Sequence, residues 1–187
     1  MTHTTRRRAL GLVASGIGGA LAGCLGVVQS GGSGATGELG DPAERVEIDI
    51  ASLPIPEVEP ALVHVEPGGA VEWVGQGQRN AVAAYHPDTH RDQRIPDGAE
   101  PWSSGTLREG SRFSVTFETP GIHDYADTVV LCGTHESFGV VGRVVVGWPD
   151  LEGEPAITHD NSELPSQAAS VMDELDERCQ EVLGDAR

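Results

Sequence analysis

Cys132 and His135 stand three positions apart in the run Leu131-Cys132-Gly133-Thr134-His135. A thiolate is a soft donor and an imidazole a borderline one, so a Cys-x-x-His pair on one loop suits a thiophilic transition metal. Two donors do not complete a metal site, so another imidazole would have to come from elsewhere. His123, His86 and His90 are the candidates for it. His86 and His90 are four apart, but Pro87 between them opposes a helical metal pair. His64, in a strand-like run, and His159, in a polar stretch near the C-terminus, read as structural. Cys132 has a second possible fate, a disulfide with Cys179 that would exclude a metal. Three cysteines are too few for a disulfide-framed fold. No nucleophile–base pairing or carboxylate pair has a distinctive spacing, so the sequence does not read as an enzyme.

Short alternating runs must position these residues. Val46, Ile48 and Ile50 alternate with polar residues, and residues 62–65 precede the turn Glu66-Pro67-Gly68-Gly69. Residues 70–74 (AVEWV), 81–85, 112–117 (RFSVTF), 128–131 and 140–146 are the other candidate strands. Seven or eight short strands with Gly/Pro turns argue for an all-β sandwich. Residues 86–107 lack periodicity, hold a lone Trp102, and read as a large surface excursion. Residues 150–163 read as polar linker. Residues 165–183 read as a helix with Pro165 near its first turn and Gly184 as its stop. Ala168, Val171, Met172, Leu175, Cys179, Val182 and Leu183 form one stripe at helical spacing, for packing on the sandwich or for binding a partner.

The run from Leu131 to Val146, with its Cys, its His three residues on, its Gly-rich turn and its terminal strand, resembles the blue copper proteins. The resemblance is specifically to the plastocyanin/halocyanin group of halophilic archaea, and the segments PGGAVEWV, AYHPD and RIPDGAEPWSSGTL share that likeness over about residues 45–147. The resemblance implies an all-β, cupredoxin-like Greek-key sandwich with an appended C-terminal helix. It also implies a single copper held by Cys132 and His135, and electron transfer with membrane-associated redox proteins. The ligand set departs from the family's pattern. Asn80 stands at the usual upstream His position (Arg79 in the other possible alignment), and Val140 stands at the usual Met position. The segment IHDYADTVVL, between Pro120-Gly121 and Cys132, is also about five residues longer than the resemblance implies. A third ligand therefore has to come from His123 or His86. Failing that, the fold serves as a copper-free binding module or as a weak Cu(I) capture and delivery protein.

Residues 1–23 read as an export signal with paired arginines of the twin-arginine type, and Leu21-Ala22-Gly23-Cys24 resembles a lipoprotein processing box that places a lipid on Cys24. Residues 24–44 are then a Gly/Ser-rich tether, 45–148 the cupredoxin-like domain, and 149–187 linker and amphipathic helix. The expected location is the extracytoplasmic face of the cell membrane. The chain carries 29 acidic residues against 12 basic ones, all Arg, for a net charge of −17. Removing residues 1–23, which hold three Arg and no acid, takes the charge to −20. Nothing forms a basic stripe to meet phosphates, which excludes nucleic-acid binding as an expectation. A dense acidic surface suits a high-salt environment that screens its self-repulsion.

Overall fold

The computed structural model describes residues 35–129 and 134–184. The expected export signal, the expected lipid acceptor Cys24 and Cys132 lie outside the described residues. Among the described residues no helix is long and apolar enough to cross a membrane.

Among the described residues seven strands build the sandwich: β1 (Ala43–Ala51), β2 (Glu57–Glu59), β3 (Leu62–Gly75), β4 (Val82–Ala84), β5 (Arg112–Phe117), β6 (Gly121–Asp127) and β7 (Val141–Val146). The hydrogen-bonded order is β2-β1-β3-β7-β6-β4, with β5 also on β3. The runs 62–65 and 70–74, expected as two strands, form the single bent strand β3. Its first half pairs in parallel with β7, from Leu62↔Arg143 to Val65↔Val146. Its second half lies between β1, in parallel, and β5, antiparallel. One strand thus serves both layers, and the turn Glu66-Pro67-Gly68-Gly69 is where it changes layer.

Between the layers lie Ile48, Ile50, Val63, Val65, Val71, Trp73, Val144 and Val146. Trp102 is not on a surface excursion. Its ring packs against Trp73 with centroids 4.7 Å apart. Residues 86–107 return to the body of the protein through bridges Ala83↔Ser103 and Asn80↔Leu107, and they bury Arg94, Ile95 and Leu107. The polar stretch 150–163 is also partly structured. It holds a short helix α1 (Pro155–Thr158) and a 3-10 turn (Asn161–Glu163).

The tail helix α2 (Ser166–Gly184) packs on the sandwich. Ala168, Met172, Leu175, Cys179 and Leu183 meet Leu62, Ile122, Ala126, Val141 and Val145 on the outer face of β6 and β7. Those two strands are therefore covered on both faces and buried at every position. Beneath α2 lies a buried ionic knot. The Arg143 guanidinium donates through Nε and Nη2 to the two Asp124 oxygens, at 2.6 and 3.0 Å. Its Nη1 ion-pairs with Asp176 of α2 at 2.7 Å. Burial pulls the Arg143 pKa down, but the charges of Asp124, Cys179 and Asp176 outweigh it and keep it above its ordinary value. Asn161 extends the knot. It accepts from Arg94 Nη1 at 2.6 Å and donates to Asp173 and Asp176 at 2.9 Å each. Cys179 is a free, buried thiol beside Arg143, so α2 is docked without a covalent bond at this residue.

Residues 35–42, assigned to the tether by composition, already touch the domain. The Asp41 carboxylate accepts from the Thr36 amide at 2.7 Å, and the Gly37 carbonyl accepts from the His64 amide at 2.8 Å. His64 itself is structural, as expected. Its Nδ1 accepts from the Gly40 amide at 3.1 Å and its Nε2 lies 2.5 Å from the Gly147 carbonyl.

Candidate metal centre

His135 opens a 3-10 turn (His135–Phe138) that leads into β7. Several contacts fix this turn. Thr134 caps it by accepting from the Ser137 amide at 3.1 Å. Gly139 closes it in the left-handed region, with φ of 82°, where glycine carries no steric cost. The His135 amide donates to the Val129 carbonyl at 2.9 Å. Glu136 anchors the other side, accepting from the Tyr85 hydroxyl and from Arg91 Nη1 at 2.5 Å each. Arg91 also lies over the Tyr85 ring, 5.1 Å from its centroid.

The imidazole of His135 is buried, with 1% of the residue exposed, and its Nδ1 lies 2.7 Å from Asp127 Oδ2. Asp127 is the last residue of β6 and fully buried. Asn80 is also fully buried, and its Nδ2 donates to the same Oδ2 at 2.7 Å. The other carboxylate oxygen accepts from the amides of Ala81 at 3.0 Å and Val129 at 2.9 Å. One carboxylate therefore joins β4's approach, the end of β6 and the His135 turn. Two acceptor-capable atoms of this group, His135 Nε2 and Asn80 Oδ1, are buried and have no hydrogen-bond partner among the described residues.

The remaining sequence candidates lie elsewhere. His123 is near the start of β6, four residues from Asp127, which is roughly 13 Å of extended chain. Its Nε2 lies 3.0 Å from the Thr119 carbonyl, and its ring packs edge-on against Phe117. Burial pushes its pKa down to about 4, against a smaller upward pull from the Thr119 carbonyl. His86 follows β4 at the end away from Asp127, since β4 runs antiparallel to β6 with Val82 beside Asp127. Its Nδ1 accepts from the Asp88 amide at 3.1 Å and caps a 3-10 turn (Pro87–Thr89). His90 ends that turn in the left-handed region. Val140 is a core residue with 1% exposure, packed between the layers and not presented as a donor. The structure thus groups Asn80 with His135 and keeps His123 and His86 apart from them.

Asp127 is the residue that sequence reasoning missed. In sequence a strand is expected just past it, at 128–131, and Asp127 is given no role. Its one sequence-level signal is its place eight residues before His135, in the segment longer than the family's.

No protein-family model matches the sequence, and no curated protein does. Solved structures match. Pseudoazurin from Methylobacterium extorquens AM1 aligns with a TM-score of 0.58 at 20% identity, over 73% of this chain and 99% of that one. Native pseudoazurin from Hyphomicrobium denitrificans aligns with a TM-score of 0.55 at 18% identity, over 72% and 97%. At these identities the likeness speaks for the fold alone. That fold is a cupredoxin-like β-sandwich, here carrying a docked C-terminal helix.

Proposed function

We propose that this chain is a copper-binding electron-transfer protein of the halocyanin-like kind, exported and held at the outer face of the membrane by a lipid on Cys24. The observation that carries the copper reading is the posture of His135. Histidines that bind metals commonly give one ring N–H to a carboxylate and offer the other nitrogen to the metal. His135 has that arrangement, with Nδ1 on Asp127 and a free, buried Nε2. Cys132, three residues before it, supplies the thiolate. Copper bound there provides a one-electron couple between Cu(I) and Cu(II). The chain's own residues hold the donor still: the capped turn, the Glu136 anchor and the Asp127 bond leave His135 little room to rearrange. The acidic surface suits a high-salt setting and redox partners whose docking depends on ionic strength.

A second reading, Cu(I) capture and delivery, is favoured by one observation. Neither His86 nor His123 is placed beside His135, and a thiolate with a single imidazole suits Cu(I).

Titrating the reduced full-length chain with Cu(II) in high salt, followed by absorbance, tests the copper reading. The expected result is an intense thiolate-to-copper band that Cys132→Ser abolishes. A band that fades as Cu(I) accumulates and does not return on reoxidation supports delivery over electron transfer. Absence of copper binding leaves a cupredoxin-like sandwich acting as a binding module.

A further inference from the structure

We infer that residues 36–42 form a pH-sensitive strap: neutral His64 holds it closed on β3, and protonation of that imidazole opens it at Gly40.

The strap has its own internal bonds. The Gly37 amide donates to the Asp41 carbonyl at 3.0 Å, and the Asp41 amide donates to the Glu38 carbonyl at 2.9 Å. The Asp41 carboxylate accepts from the Thr36 hydroxyl at 2.9 Å. Gly37 and Gly40 turn in the left-handed region, with φ of 77° and 97°. A side chain on Gly37 would meet Val46 at 2.4 Å, so the strap lies against β1 there. Leu39 packs on the apolar cluster under α2.

Two bonds fasten the strap to His64, and they differ in what they need. The His64 amide donates to the Gly37 carbonyl whatever the charge on the ring. The other bond needs a lone pair. The Gly40 amide can only donate and the Gly147 carbonyl can only accept, so Nδ1 carries the lone pair and Nε2 the proton. A proton added to Nδ1 sets two N–H groups against each other at 3.1 Å. The bond to Gly147 survives, because Nε2 still donates. The residue is fully buried, so the new N–H finds no water while the strap is closed. Opening at Gly40 supplies that water.

The surroundings favour this outcome. Burial outweighs the Gly147 carbonyl and the Asp41 charge and lowers the ring's pKa, so the closed strap resists the proton. On β7, Val145 lies opposite His64, and the Trp148 ring packs edge-on against the imidazole. Arg143, two residues before Val145, is held by Asp124 and Asp176. From α2, Arg178 and Glu181 reach the groove lined by Glu38, Leu39 and Leu62. The strap is the first described stretch after the expected tether, so the switch decides by pH whether the tether's end is fastened to the domain.

NMR of the isotope-labelled full-length protein in high salt, taken from about pH 7.5 to about 4.5, tests this. At neutral pH the ring nitrogens of His64 are expected to show the proton on Nε2. As the ring titrates, the hydrogen-exchange protection factor of the Gly40 amide is expected to fall by up to about tenfold for each pH unit between 6.5 and the ring's own midpoint. The β7 amides are expected to keep theirs. His64→Phe removes the acceptor and is expected to leave Gly40 unprotected at every pH. The wild-type titration decides the matter even where that variant fails to fold. A proton on Nδ1 at neutral pH overturns the inference. So does Gly40 protection that stays constant while His64 titrates, or that is lost only together with the β7 amides.

Discussion

Two buried aspartates on one strand meet opposite fates. Asp124 and Asp127 are three residues apart on β6, so they point to opposite faces. Asp124 faces α2 and is held by both arms of Arg143. Asp127 faces the sandwich interior at the strand's end, where it gathers neutral N–H donors and one imidazole, and among the described residues two acceptors beside it have no partner. Asp124 is matched by a full guanidinium charge, while Asp127, among the described residues, meets neutral N–H donors and one imidazole. The difference separates a carboxylate locked by a cation from one that ties together three segments of chain.

The sharpest way to break the comparison is at Arg143. Arg143→Ala leaves Asp124 buried with no guanidinium, and stability should fall by about 3–5 kcal/mol in denaturant unfolding. Replacing the pair together, Arg143→Met with Asp124→Leu, should recover most of that loss, since well-packed apolar residues often match a buried ion pair. A double variant as unstable as the single one would show that Asp176 or Cys179 contributes more than Asp124 does.

A second test exploits the histidine facing the same interior as Asp127. His123 has its pKa lowered from 6.5 to about 4 by burial. The unfolded chain therefore binds a proton that the folded chain refuses between those values. Stability from this group is full above pH 6.5 and is lost as pH falls through the window, by about 3 kcal/mol at pH 4. His64, also lowered by burial, adds to the same trend. His123→Phe should flatten the stability–pH slope by about one proton in unfolding curves taken across the window. An unchanged slope would mean that water reaches the ring.

The smallest expected effect is at Cys179. As a free thiol on the buried face of α2, it should tolerate Cys179→Ala at a cost of about 1 kcal/mol, measured by thermal unfolding under reducing conditions. If wild type without reductant proves about 2–5 kcal/mol more stable than Cys179→Ala, a disulfide is present and the thiol at Cys132 is lost to copper.

These residues also show what could be read in the sequence. RFSVTF gave β5 at its observed bounds because one face of that strand is more exposed and the alternation survives. The helical stripe of α2 was legible for the same reason, since its burial is one-sided. β6 was not found, and residues 128–131 were read as the strand in its place. Its seven residues are buried on both faces, and His123, Asp124 and Asp127 interrupt any apolar run. Their partners, Arg143 above all, are distant in sequence. At the site, the Cys-x-x-His spacing announced His135. Asn80 was visible only as a departure from the blue copper pattern, and its bond to Asp127, 47 residues on, is one that no local pattern encodes.

The docking of α2 also has a consequence for the order of synthesis. β6 and β7 leave the ribosome well before Ser166–Gly184 do. During that interval Arg143 and Asp124 can find each other, but the layer that buries them has not arrived. The nascent sandwich must therefore wait with an apolar face open along β6 and β7, a state in which partly folded chains are prone to associate. A dense acidic surface, by keeping neighbouring nascent chains apart, protects the protein during that interval.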